Sequence, residues 1–190
     1  MTVINENRGE FLPSAYQVPD KSRQFMKLTP GDNVIRVLSA PLLGFVVFTE
    51  DKKPLRKHIE EGDFNVDELE KAKAKRNEDG EFEGSKHFWV MLVWDYSAKA
   101  PKILEITQIS VLKPLYALAN DEDWGDLRDF DINIHRVGTG KNDTEFSVTP
   151  KPHKPIAPEI EEVIRELEEK SLLDLKAIWK GEYPFEIYNW

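Results

Sequence analysis

The sequence predicts a mainly β fold, either a small β-barrel carrying a helix or a β-sheet with a covering helix. Three observations predict it. An aromatic-rich apolar run, Phe88 to Tyr96, is followed after a turn by a second short strand, Ile103 to Thr107. A helix-period segment, Ile109 to Ala119, comes directly after that pair. Basic residues stand at the ends of these elements, at Lys86, Lys99 and Lys102.

Residues 1–24 are polar and aperiodic, with Pro13 and Pro19, and read as a flexible N-terminal arm. A Thr29-Pro30-Gly31-Asp32 turn launches the first strand, Asn33 to Ser39, and Gly44 to Thr49 continues it. Pro41 and Gly44 inside this run predict a bulge or bend, the way a long first strand turns the corner of a small barrel. Residues 50–85 become charged and polar and read as a mobile surface insertion or hairpin-like excursion between strands. Within it, Asn65 and Glu68 have capping-box spacing, which predicts a helix ending near Asn77.

In the central strand the even set Phe88, Val90, Leu92, Trp94, Tyr96 is uniformly apolar and predicts the core face. Trp89 and Met91 then share the opposite face with His87 and Asp95, which suits Trp89 to a binding groove and Trp94 to the core. Ile109, Leu112, Tyr116 and Ala119 fall on one helical face, with Val111, Leu115 and Leu118 beside them, and Pro114 predicts a kink or a delayed helix start. Asp131 to Val137 and Thr144 to Thr149 make the final hairpin, with Ile132, Ile134, Phe146 and Val148 inward. Pro150, Pro152, Pro155 and Pro158 read as a stiff linker to a charged helix, Glu159 to Lys170, and an aromatic tail containing Tyr183, Phe185, Tyr188 and Trp190.

A chain of 190 residues fits one domain with appendages. The divisions are the arm at 1–24, a core domain at 25–155 with its insertion at 50–85, and an acidic helical and aromatic extension at 156–190. The absence of cysteine excludes disulfides and thiolate metal sites within this sequence and accords with a reducing cytoplasm. The N-terminus lacks the pattern of a signal peptide, and no apolar run approaches the ~20 residues that span a bilayer. We therefore expect a cytoplasmic protein with no membrane partner.

The net charge of −9 argues at first against a nucleic-acid partner. Its distribution matters more. Residues 156–190 carry nine acids against four bases, and residues 50–85 carry twelve against eight, while the rest of the chain is balanced. The predicted core is neutral and has room for a local basic groove.

Motifs for catalysis are missing. Gly138-Thr139-Gly140-Lys141 fails the phosphate-loop pattern, which needs a glycine where His135 stands and Ser or Thr where Asn142 stands. Four histidines, at 58, 87, 135 and 153, show no metal-ligand spacing, and no G-x-S-x-G nucleophile motif is present. We expect no enzyme activity, no cofactor and no metal. Bases and aromatics do interleave, at Arg36, Phe48, Lys52, Lys53, Arg56, Lys57, Lys86, Trp89, Lys102, Arg136 and Lys141. Single-strand binders combine such a positive groove with stacking platforms. A core filled with aromatics and turns solubilised by lysine has the same composition.

Several segments resemble the single-stranded DNA-binding proteins of tailed bacteriophages and prophages. They are ILEITQ (103–108), the Trp124-Gly125 turn, DINIHRVGTG (131–140) and TEFSVTP (144–150), within a likeness spanning roughly residues 25–185. The resemblance implies an OB-fold, a five-stranded barrel with a helix between strands 3 and 4, where the segment 109–119 stands. It implies a protein that coats single-stranded DNA without sequence preference during phage DNA replication or recombination. Arg36, Lys52, Lys53, Arg56, Lys57, Lys86, Lys102, Arg136 and Lys141 would then meet phosphates, and Trp89, Trp94, Phe48 and Tyr96 would stack on bases. The acidic C-terminal region resembles tails that dock replication or recombination proteins, and a homodimer is compatible with the sequence. The alternatives are an OB-fold module that binds protein or serves a structural role in a phage, and, more weakly, a nuclease built on the carboxylate-rich loops.

Overall fold

The computed structural model describes residues 21–140 and 143–186. They form a seven-stranded antiparallel sheet with few helices: β1 (Gly31–Val37), β2 (Leu42–Phe48), β3 (Pro54–His58), α1 (Val66–Lys71), β4 (Lys86–Asp95), β5 (Ala100–Ile106), α2 (Ile109–Ala119), β6 (Phe130–Val137), β7 (Glu145–His153) and α3 (Pro158–Glu169). The order is β3-β2-β4-β1-β6-β7, with β5 paired to β4 off this path. Among the described residues no ladder joins β5 to β7, so the sheet is open. The segment entering the sheet lies along β5: Phe25 bridges Ile103 in parallel, and the Met26 N–H donates to Ile103 O at 2.8 Å.

β1 starts where buried Asn33 ties down the preceding turn. Its Oδ1 accepts from the Thr29 N–H, and its Nδ2 donates to the carbonyls of Thr29, Gly31 and Ile134. β1 and β2 are the two halves of one bent path along β4. Val37 pairs with Val93 and Leu42 with Val90, so five steps on one strand face three on the other. The bend expected at Pro41 is therefore a wide irregularity of two extra residues, bridged by the Ser39 hydroxyl accepting from the Leu92 N–H. Gly44 lies just beyond it, and a Cβ there would stand 2.3 Å from Lys57 O and 2.9 Å from the Phe88 ring.

The insertion opens as a hairpin on the sheet. β3 pairs with β2 from Gly44↔His58 to Phe48↔Pro54. Every residue of β3 is half-buried, so no alternation marks it in the sequence. Asn65 and Glu68 do form the reciprocal capping box at the start of α1. The helix stops at Lys71, earlier than expected, because Lys73 takes a left-handed φ of 52° and the chain returns to the sheet, with the Lys75 N–H donating to Phe48 O.

β4 corrects the single-face expectation. Its even residues Phe88, Val90 and Leu92 pack in one core with Val46, Ile103, Leu167, Ile178 and Phe185. Its odd residues Met91 and Val93 are equally buried in the other core, with Ile35, Leu104, Ile106, α2 and β6. The strand is covered on both faces because the C-terminal extension packs against the sheet. Leu167 of α3, then Ile178 and Phe185, supply that cover, with Val163 packed beside them. Pro158 occupies the first turn of α3, where its missing N–H has no helical partner to lose.

α2 is continuous through Pro114 and begins at Ile109. Its buried face is Val111, Leu112 and Leu115, so the core side is shifted from the stripe Ile109, Leu112, Tyr116, Ala119 toward the residues beside it; Ile109 and Tyr116 are exposed. β6 buries Ile132 and Ile134, and Phe146 and Val148 of β7 pack beside them. β7 runs on to His153, so Pro150 and Pro152 sit in a terminal strand of the sheet path rather than a linker, a position where a missing donor is tolerated. No helix among the described residues is long and apolar enough to cross a membrane. The arm expected at 1–24 falls outside the described residues up to position 20; residues 21–24 form a 3-10 turn with Gln24 buried.

Candidate functional site

Two cavities open along β5. One, of about 860 Å³, is lined by Phe25, Met26, Phe48, Thr49, Lys52, Lys53, Pro54, Leu55, Arg56, Glu105, Lys180, Gly181, Glu182 and Tyr183. The other, of about 760 Å³, is lined by Met26, Lys27, Leu28, Glu105, Gln108, Ser110, Arg136, Thr139, Gly140, Thr144 and Phe146. Met26 and Glu105 belong to both, so the cavities adjoin across these two side chains, and together they make the groove, with the β2–β3 hairpin at one end and the β6–β7 hairpin at the other.

Its charge is opposite to that of the whole chain. Lys27, Lys52, Lys53, Arg56, Arg136 and Lys180 line it against only Glu105 and Glu182. Among the described residues Lys27, Lys52, Lys53 and Lys180 have no ion-pair partner, and all four are exposed. The β2–β3 turn aims two of these cations. Lys52 adopts a left-handed φ of 61°, its N–H donates to Thr49 O, and the Lys53 N–H donates to the Thr49 hydroxyl. Arg136 is held from behind. Its Nη1 donates to Leu28 O at 2.7 Å and its guanidinium lies 6.0 Å from the Phe146 ring centre. Two exposed aromatic side chains share the larger cavity: Phe48 is 41% exposed and Tyr183 47%.

Phe48, Lys52, Lys53, Arg56 and Arg136 are thus brought together from the sequence-derived set. The others go elsewhere. Arg36 is 1% exposed and ion-paired to Asp131, so its predicted role as a groove cation gives way to a structural one. Trp94 is buried at 8% and has no face left for a base. Tyr96 is half-buried and its hydroxyl donates to Asp131; burial first, then that carboxylate, raises its pKa. Lys57 is engaged by Glu68 at 2.7 Å and lies over Phe64. Lys86 is exposed at the start of β4 but lines neither cavity. The Lys102 ammonium donates to Arg23 O, and burial lowers its pKa against the opposing pull of Asp95. Lys141 lies outside the described residues.

Trp89 is half-buried against the inner core and lines a separate, mainly apolar cavity of about 430 Å³ with Val37, Pro41, Met91, Leu127 and Arg128. It is not a wall of the basic groove. Tyr183, Lys180, Lys27 and Glu105 line the groove and were missed by sequence reasoning. Tyr183 and Lys180 lie in the acidic extension, whose net charge concealed them; Lys27 and Glu105 have no spacing in the sequence that ties them to the other groove residues.

Among the described residues no cluster of three His, Asp or Glu side chains is placed to hold a metal ion. No family model, no curated protein and no solved structure matches the chain.

Proposed function

We propose that this protein binds single-stranded DNA in the groove along β5, without sequence preference and without catalysis. The observation that carries the reading is the coincidence, in one open groove of an acidic protein, of six bases with two exposed aromatic rings. Lys52, Lys53, Lys27 and Lys180 would neutralise phosphates, with Arg136 at the far end, and Phe48 and Tyr183 would stack on bases, each worth ~1–3 kcal/mol. An open groove with flat platforms suits unstacked single strands, whose bases are free to reach aromatic faces.

The order of elements supports an OB-type arrangement. Taking β1 and β2 as one bent strand, the chain continues β4, β5, α2, β6, β7, the order of strands 1, 2 and 3, the helix, and strands 4 and 5. β3 is then an addition within the first connecting loop, and the segment around Phe25 and Met26 lies beside β5, the strand that a closed barrel would join to β7. The groove runs between the loops that follow strands 1 and 4 in that order, the loops by which OB-folds take up oligonucleotides. The resemblance to phage single-stranded DNA-binding proteins adds the setting, phage DNA replication or recombination.

The test is fluorescence anisotropy of a labelled oligo-dT against salt. Binding at low salt should weaken steeply as salt rises, because phosphate contacts release counterions. The K52E/K53E variant should bind far more weakly with its melting temperature unchanged, both side chains being exposed. Salt-independent binding, or none at low salt, would sink the reading.

A further inference from the structure

We propose that Glu105 competes inside the groove for the position a nucleic-acid phosphate takes, holding Arg56 in reserve. This rests on the nucleic-acid reading above. Glu105 stands where the two cavities join. A single carboxylate oxygen, Oε2, accepts from Arg56 Nη2 at 2.6 Å and from Nε at 3.1 Å. The side chains are only 8% and 18% exposed, so the pair is shielded from much of the screening that weakens surface ion pairs.

Arg56 is unlike the other groove cations. Arg136 is held by neutral oxygens, and the four lysines have no ion-pair partner among the described residues, whereas Arg56 is matched charge for charge. Arg56 also has a second anchor, Nη1 donating to Ile178 O at 3.4 Å, and its guanidinium lies 6.0 Å from the Phe88 ring centre. Glu105 is therefore not the sole group that positions it. A phosphate and a carboxylate offer the same acceptor geometry to a guanidinium. A strand lying across the junction must either displace Glu105 or accept its repulsion, and in both cases affinity is held below what the bases would give unopposed.

The experiment is Glu105→Gln, which keeps the shape and an acceptor for Arg56 while removing the charge. Expected are about five-fold tighter binding of oligo-dT and a salt slope steeper by about 0.7, one additional phosphate contact. Unchanged or weaker binding by E105Q, with K52E/K53E still losing affinity, overturns the inference and leaves the groove reading intact. No binding by the unsubstituted protein at low salt overturns both. Should E105Q fail to fold, Glu105→Ala removes the same charge with a smaller side chain, and competition predicts the same tightening of oligo-dT binding. Unchanged or weaker binding by that folded variant would overturn the proposal.

Discussion

Arg36 and Asp131 are direct partners across the β1–β6 ladder and form an ion pair in the protein interior, Nε to Oδ1 at 2.7 Å. Tyr96 donates to the same oxygen and Lys154 to the other. The Arg36 Nη1 donates to the carbonyls of Arg128 and Lys154, while Nη2 has no partner. Asp131 therefore supplies the only negative charge on the buried guanidinium among the described residues. Asp131→Asn should cost about 3–5 kcal/mol, the penalty of leaving a buried charge uncompensated. Urea unfolding at pH 7 measures it, and a loss below about 1 kcal/mol would show the pair to be dispensable.

The same carboxylate sets an acid limit. Burial pushes its pKa upward, but hydrogen bonds from Lys154, Arg36 and Tyr96 together outweigh burial and hold it below the ordinary value. A depressed folded pKa means the unfolded chain binds the proton more readily. Its contribution is complete above about pH 4, the unfolded value, and fades as pH falls through the folded value. Melting temperature followed from pH 7 to pH 2 should fall most steeply below about pH 4. The Asp131→Asn variant should show a shallower fall over that window. Equal slopes would place the acid sensitivity elsewhere.

Arg36 also shows where sequence reading stops. Its strand was legible from Val34, Ile35, Val37 and Leu38, and so were the bend, both hairpins, α2 and the charged C-terminal helix. An arginine in a strand signals exposure, and only the ladder partner Asp131, 95 positions away, makes burial affordable. For β4, period-2 alternation distinguishes two faces without saying that both are covered; the cover comes from residues 163–185. The groove is less legible still. Its cations come from positions 27, 52–56, 136 and 180, and its acids from 105 and 182, with no local spacing to connect them.

Gly44 is required for contact rather than for φ. A methyl there would meet Lys57 O at 2.3 Å, so β3 must move away from β2 or the Phe88 and Trp179 rings must yield. Gly44→Ala should destabilise by about 1–3 kcal/mol, the usual cost of overpacking. Hydrogen exchange should find the loss concentrated in the amides of the β2–β3 ladder. An unchanged melting temperature would mean that the hairpin accommodates the methyl freely.

Trp89 lies outside the groove, and Tyr183, to which the sequence assigns no binding role, lies in it. Strand parity makes Trp89 the stacking platform, so that Trp89→Ala should weaken DNA binding at constant melting temperature. The structure sets its ring against the inner core, away from the bases of the groove, while the extension brings Tyr183 into the groove beside Phe48. Trp89→Ala should accordingly lower stability, by about 1–3 kcal/mol for a large side chain partly withdrawn from water, and leave oligo-dT affinity of the folded protein unchanged. Tyr183→Ala should act mainly on binding. Losing one stacked base at ~1–3 kcal/mol weakens binding roughly five- to 150-fold, while loss of its edge-on contact with Phe25, ring centres 6.4 Å apart, costs about 1 kcal/mol of stability. Calorimetric melting and anisotropy titration of both variants decide between these assignments. Affinity lost with Trp89→Ala and kept with Tyr183→Ala would return the site to the apolar cavity beside Arg128.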